Sequence, residues 1–412
     1  MSVYQSPGVY RRDVYPEPSA EMRTGVPVLL GYAETSQVNS IQTLTLWPQF
    51  IESLGQPLPG GYLAFAVHGF FANGGQLCHV VRLNEQVNVE IALSQGLDAV
   101  TSIDTVDLVC APDVMRQAEM SSTTTDPIWA AYHARMPYGP DPEGAVNMQG
   151  QILERCERLG DRFAILDSLP GASVEEVLAQ REHLRVLAQR EHLSGANGGL
   201  YYPWVRIMDS PVLSEGFVPP CGHVAGVYAR SDLRVGVHKA PANDILESVL
   251  DLEISLSNAQ QDLLNPKGVN CLRAFPGRGI RVWGARTLSP ASAWTYVNVR
   301  RLFLTAARWI ERNTLDLAFE PSDARLWTRI GRELTGYFTD LFQRGALKGR
   351  TPEEAFFVKC DAETNPREVR ELGHVVTEIG LAPTVPNEFV VVRIIHGASG
   401  IVISGPTRPV SP

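Results

Sequence analysis

Residues 265–304 read NPKGVNCLRAFPGRGIRVWGARTLSPASAWTYVNVRRLFL. The stretch opens on a turn signal, Asn265-Pro266-Lys267-Gly268. An apolar run at 269–272 has strand composition, and Pro276, Gly277 and Gly279 then bend the chain into a second run at 280–283. Pro290 breaks the chain again, and a helical pattern begins near Trp294. Strand, bend, strand and helix in this order predict a stiff corner within an α/β chain. The stretch is rich in arginine and holds no nucleophile paired with a base.

Upstream of it the chain alternates. Residues 26–32 read as a buried strand, 50–54 as a short helix, and 62–73 as an apolar helix stopped by Gly74-Gly75. Strand character returns at 76–83. Strands are expected at 106–111, 162–166 and 202–208, with helices at 147–158 and 173–193 between and after them, and a further helix from 219 to 230. This alternation predicts an α/β fold (α+β in part) with a mostly parallel sheet. The helix at 173–193 carries AQREHL twice, and its His183 and His192 lie nine residues apart on opposite faces, so they cannot share a metal.

Downstream lie two amphipathic helices. In 297–313, Val299, Leu302, Phe303, Ala306 and Ile310 form the apolar stripe, and Arg301, Arg308 and Arg312 are expected on the opposite face. In 323–342, Leu326, Ile330, Leu334 and Phe338 point inward, and Arg325, Arg329 and Arg332 form an outward row. Strands at 355–359, 374–379 and 389–395 follow, with a short helix at 368–373. At the other end, residues 1–24 contain strand formers, Val3, Val9, Tyr10 and Val14 among them, interrupted by Pro7, Pro16 and Pro18. No turn brings a partner strand back onto them. Such an arm is expected to add as a strand to the sheet edge of another chain.

A chain of 412 residues predicts two or three domains. No apolar run reaches the roughly 18 residues of a membrane span, and the N-terminus has no signal-peptide core, so a soluble cytoplasmic product is expected. The formal charge is −9, but residues 267–350 hold 15 Lys and Arg against 6 Asp and Glu. That segment is +9 and the remainder −18, which predicts a basic surface meeting an acidic partner. Six cysteines, none closer than 32 positions to the next, form no zinc knuckle and read as buried thiols.

The best argument for an enzyme is a set of acids at strand ends, Asp113, Asp167 and Asp209. Ligands of parallel sheets bind at carboxyl ends of strands, and three carboxylates there suit a metal and a phosphate. No phosphate loop accompanies them, and Asp is also common where a strand hands over to a helix or turn. Gly277-x-Gly279 lacks the third glycine of a dinucleotide fingerprint, since position 282 is Val282.

An ordered set of segments resembles one family. Ser6-Pro7-Gly8-Val9-Tyr10, the runs at 62–67 and 70–75, Gly222-His223-Val224-Ala225-Gly226, the run at 237–243, the run GRGIRVWGARTL at 277–288, Asn298-Val299-Arg300-Arg301-Leu302, Leu326-Trp327 and the run at 354–358 match, in order, the contractile tail sheath proteins of bacteriophages, R-type pyocins and phage-like contractile injection systems. The resemblance implies a structural subunit without catalytic activity or cofactor, polymerising as helically stacked hexameric rings around an inner tube. It implies an N-terminal arm (1–24), an outer α/β domain (25–264), a polymerisation domain (265–387) and a C-terminal strand and arm (388–412). Strand addition between subunits would use Val3, Val9, Tyr10 and Val14 at one end and Phe389, Val391, Arg393 and Ile395 at the other. The implied partners are copies of the same chain, the tube protein, baseplate and cap proteins and any sister sheath proteins, with neither nucleic acid nor direct membrane insertion. Assembly in the bacterial cytoplasm is expected, within a phage tail or a tail-like particle that can be released. The arginine stripes (Arg301, Arg308, Arg312 and Arg325, Arg329, Arg332) are expected to face an acidic tube.

Overall fold

Pro27–Gly31 (β1) has every residue buried, as a strand covered on both faces requires. The structure, a computed structural model, describes residues 22–116, 126–208, 212–213, 216–317, 320–384, 390–397 and 400–404, the last two for their backbone. After β1 come Ile41–Leu44 (β2), Pro48–Leu54 (α1), Leu63–Ala72 (α2), Cys78–Arg82 (β3), Val89–Ala99 (α3) and Leu108–Cys110 (β4). Pro127–Arg135 (α4), Pro142–Leu159 (α5), Phe163–Asp167 (β5), Val174–Arg190 (α6) and Gly198–Tyr202 (β6) follow. The five strands β3-β1-β4-β5-β6 lie side by side in that order, all parallel. β2 closes one edge antiparallel to β3.

The sheet is wound on both faces because its strands alternate with period two. Val28 and Leu30 point to a core shared with Leu93 and Leu97 of α3, Ile152 and Cys156 of α5 and Val177 of α6. Leu29, Val80, Leu108 and Phe163 point to the other face, against Phe70 of α2. Helix boundaries follow their caps. Asp141 caps α5 ahead of Pro142, and Gly160 ends it in the left-handed region. Ser173 and Glu176 form a reciprocal capping box on α6. The expected helix to 193 stops at Arg190, since His192 takes a positive φ of 57°.

Val205–Arg206 (β7), Phe217–Val218 (β8) and Asp251–Leu252 (β9) form a small second sheet. The strand expected at 202–208 is therefore split: Pro203 has no N–H for a ladder, so β6 ends at Tyr202 and β7 turns away. Cys221–Arg234 (α7) packs beside Phe163 and Tyr201 on the α2 face. The α2–α7 crossing is very close. A Cβ on Gly222 would lie 2.1 Å from the Ala66 carbonyl oxygen, and one on Gly226 2.5 Å from that of Phe70, so only glycine fits at either position.

Asn258–Leu264 (α8) leads into Val269–Phe275 (β10) and Gly279–Val282 (β11). β10 pairs parallel with β6, and β11 folds back on β10 as an antiparallel hairpin. The stretch at 265–304 thus completes the large sheet, and a boundary at 264/265 would cut through it.

Val297–Thr314 (α9), Ala324–Gln343 (α10), Pro352–Ala355 (α11), Phe356–Lys359 (β12), Arg367–Glu371 (α12), Val375–Leu381 (β13), Val390–Gly397 (β14) and Gly400–Ser404 (β15) make the rest. β12-β13-β14-β15 is an antiparallel sheet. A third core gathers Leu302 and Ile310 of α9, Leu334 and Phe338 of α10, and Phe356, Ile379 and Leu381 of the sheet. Trp309 stacks on Tyr337 with centroids 3.9 Å apart and planes 7° off parallel, joining α9 to α10. α9 also lends Val297 and Leu304 to the core on the α2 face, so it belongs to both units.

Candidate functional site

The doubly wound order puts a strand-order reversal between β1 and β4, where a ligand-binding crevice would open. Asp113 fills it. Its carboxylate accepts the Tyr32 N–H at 2.7 Å and the Tyr62 N–H at 2.5 Å, and a Cβ on Gly31 would lie 2.5 Å from Asp113 Oδ2. Burial raises the Asp113 pKa to about 6 against the pull of these hydrogen bonds. Asp167, at the end of β5, accepts the Cys221 N–H at 2.8 Å, the first residue of α7. Burial raises its pKa to about 7. Both acids tie backbone to backbone and neither is free for a metal, so the proposed acid triad is corrected. Asp209, its third member, lies outside the described residues. Cys78, Cys110, Cys156, Cys221 and Cys271 are buried free thiols, and Cys360 is half-buried.

A denser cluster of charge lies at the root of the N-terminal arm. Asp107 opens β4, and its carboxylate accepts the N–H groups of Gly25 (3.0 Å) and Val26 (2.6 Å). Arg301 of α9 reaches the same carboxylate at 2.8 Å and forks onto Asp232 of α7 at 2.9 and 2.6 Å. Its guanidinium lies 4.9 Å from the centre of the Tyr228 ring, a cation–π contact. Burial raises the Asp232 pKa even though Arg301 opposes it. Gly25 has a φ of 71°, and a Cβ there would stand 2.5 Å from the Ala229 Cα, so the chain can enter β1 this way only through glycine. The residues just after the arm are thereby held to α7, β4 and α9 at once.

These contacts correct the first arginine stripe. Arg301 is 2% exposed and Arg308 7%. Arg308 donates to the Asp104 carbonyl at 2.7 Å. α9 is packed on two sides, so the face opposite its apolar stripe meets the large sheet, not solvent. Of that row only Arg312 is exposed. On α10 the row does face outward. Arg325 and Arg332 are exposed, and Arg329 is half-exposed and engaged by Asp316 at 2.5 Å and Glu333 at 3.1 Å.

Among the strand-addition residues, Val391, Arg393 and Ile395 lie on β14, opposite Gly380, Glu378 and Val376 of β13 and paired on the other side with β15, so this strand is held within its own chain and the expected C-terminal donor is corrected. Val3, Val9, Tyr10, Val14 and Phe389 lie outside the described residues. Among the described residues, the outer edges of β12 and β15 carry no partner strand. Asp107, Asp232 and Gly25 were missed in the sequence. The one signal was Asp107 itself, a charge inside the apolar run VDLVCA.

A plugged crevice and, among the described residues, a sheet with two unpaired edges suit a structural protein that assembles with other chains. Two family models match end to end, the phage tail sheath protein central domain over residues 140–288 and the phage tail sheath C-terminal domain over 289–395. Together they span more than half of the chain, which belongs to the phage tail sheath family. The join at 288/289 agrees with the sheet, which takes in β10 and β11. The tail sheath protein of Burkholderia phage BcepMu is 30% identical over 203 residues, 45% of this chain and 39% of that protein. The tail sheath protein of Salmonella phage ViI is 28% identical over 184 residues, 44% of this chain and 28% of that protein. The match therefore spans less than half the length of either relative. The helical sheath of the anti-feeding prophage, solved in its contracted state, superposes with a TM-score of 0.70 at 27% identity, over 94% of this chain and 98% of that one. The contracted sheath complex of the extracellular contractile injection system PVC shares the fold, with a TM-score of 0.69 at 24% identity over 100% of this chain and 99% of that one.

Proposed function

We propose that the chain is a structural subunit of a contractile sheath. It polymerises as helically stacked rings around an inner tube and contracts to drive that tube through a target membrane, and it catalyses no reaction. The observation that carries this reading is the near end-to-end likeness to the contracted anti-feeding prophage sheath. The arm at 1–24 adds a strand to a neighbouring subunit, and the edges of β12 and β15 are the natural receivers, since β14 and β15 already pair within their own chain. Such a contact is heterologous and does not close, so it generates a helix. Main-chain hydrogen bonds hold each joint while the subunits turn between two packings. The tube, baseplate and cap proteins are the further partners. Assembly takes place in the bacterial cytoplasm, as part of a phage tail or a tail-like particle.

Deleting residues 2–20 tests this. The arm is removed but its root at Gly25 stays, so the truncated chain should keep its far-UV circular dichroism and its melting transition. Negative-stain electron microscopy should show striated cylinders for the full chain and only small particles for the truncated one. Cylinders of normal length from the truncated chain would overturn the arm-exchange reading.

A further inference from the structure

Among the described residues, one concavity gathers an excess of positive charge. It holds about 490 Å³ and lies between α6, the turn at 266–268 and the link at 286–295 that runs from the large sheet to α9. Arg181, Arg185, Lys267 and Arg286 line it, with Glu182 the only acid. Glu182 is taken by Arg185, which bonds it at 2.8 Å through Nε. Arg181 is 8% exposed and fixed by two carbonyls, Lys267 at 2.7 Å through Nε and Leu288 at 2.8 Å through Nη2. Its Nη1 has no hydrogen-bond partner among the described residues. Among the described residues, Lys267 makes no side-chain hydrogen bond and has Glu182 within electrostatic reach, and Arg286 lies 5.8 Å from the centre of the Tyr296 ring.

We propose that this pocket is a binding site for a small polyphosphate-class anion, held by Arg181, Lys267 and Arg286. Charge and shape both favour this ligand class. Four cations and one carboxylate leave a net +3, which a lone carboxylate could not balance. A concave wall of one sign focuses the field on an entering anion. Guanidinium groups donate strongly to phosphate oxygens, and Arg181, held through Nε and Nη2 by two carbonyls, presents its Nη1 in a fixed position, so little ordering remains on binding. Because the pocket spans α6 and the link, a bound anion would clamp the sheet unit to the helical unit. The site stands independently of the sheath reading.

Isothermal titration calorimetry of the full-length chain with inorganic pyrophosphate, at fixed ionic strength and pH 7.5, tests it, with citrate as a carboxylate of similar charge. Saturable one-to-one binding is expected, about tenfold tighter for pyrophosphate than for citrate. Replacing Lys267 and Arg286 together by Ala keeps every backbone bond of the turn and link, and should weaken pyrophosphate about tenfold or more. Glu182→Gln frees Arg185 and should tighten binding. The proposal is overturned if pyrophosphate gives no saturable heat, if citrate binds as tightly, or if the double variant binds like the parent chain.

Discussion

Arg301 is the residue on which most of the buried charge depends. It is the one cation between two buried carboxylates, Asp107 and Asp232. Removing one partner of a buried pair leaves an uncompensated charge, and typically costs about 3–5 kcal/mol. Arg301→Met should therefore lower the unfolding free energy by roughly that amount in a urea titration. Arg301→Lys keeps the charge but loses the fork that spans Asp232, and should fall between. If Arg301→Met costs under about 1 kcal/mol, the cluster contributes no more than an exposed pair does. The sequence made this arginine look like part of a solvated stripe. Helical spacing reports which residues share a face, not what that face meets, and the partners of Arg301 lie 69 and 194 positions away.

At the scale of elements, Asp167 at the end of β5 holds the start of α7 through the Cys221 N–H. Its folded pKa of about 7 stands above the unfolded value of 3.8, and burial is the main cause. The folded chain therefore binds more protons than the unfolded chain between those values. Stability from this group is fully present below about pH 4 and is lost as pH rises through about 7. Asp167→Asn keeps an oxygen for the Cys221 N–H but carries no charge. It should remove a loss of the order of 1–3 kcal/mol between pH 4 and 8, measured as a flatter urea midpoint against pH than that of the parent chain. An unchanged slope would place the pH dependence elsewhere. Elements whose whole pattern is local were legible. The buried runs of β1, β3 and β5, the glycine-stopped α2, and the β10–β11 hairpin all stand close to where composition put them. α3 was not legible, because Gly96 interrupts its helical pattern. In the fold, a Cβ at Gly96 would sit 2.6 Å from the Leu83 side chain, so close packing against the end of β3 takes precedence over propensity. The capping contact of Asp167 was legible as one of two readings, and only the Cys221 N–H decided between them.

Over the whole molecule, strand order was beyond the sequence, since nothing in β1 marks it as a central strand between β3 and β4. The charge asymmetry was legible, but its surface was not, and burial now narrows which arginines are exposed to meet an acidic partner. Arg301 and Arg308 are spent inside the chain, and Arg329 is engaged by Asp316 and Glu333. Arg312, Arg325 and Arg332 remain exposed. Reversing these three to Glu touches no buried partner, so the isolated subunit should change in stability by no more than about 0.5 kcal/mol per site. If this surface meets the tube, the reversal puts like charges across the contact, which costs several kcal/mol and slows encounter. Co-sedimentation with the purified tube protein should then fall about tenfold or more at 0.15 M salt. The parent chain should lose tube association as salt rises, and the triple variant should gain some back, since screening weakens attraction in one and repulsion in the other. Sedimentation of the triple variant with the tube at the parent level, with the same salt response, would show that the tube meets a different face of the subunit.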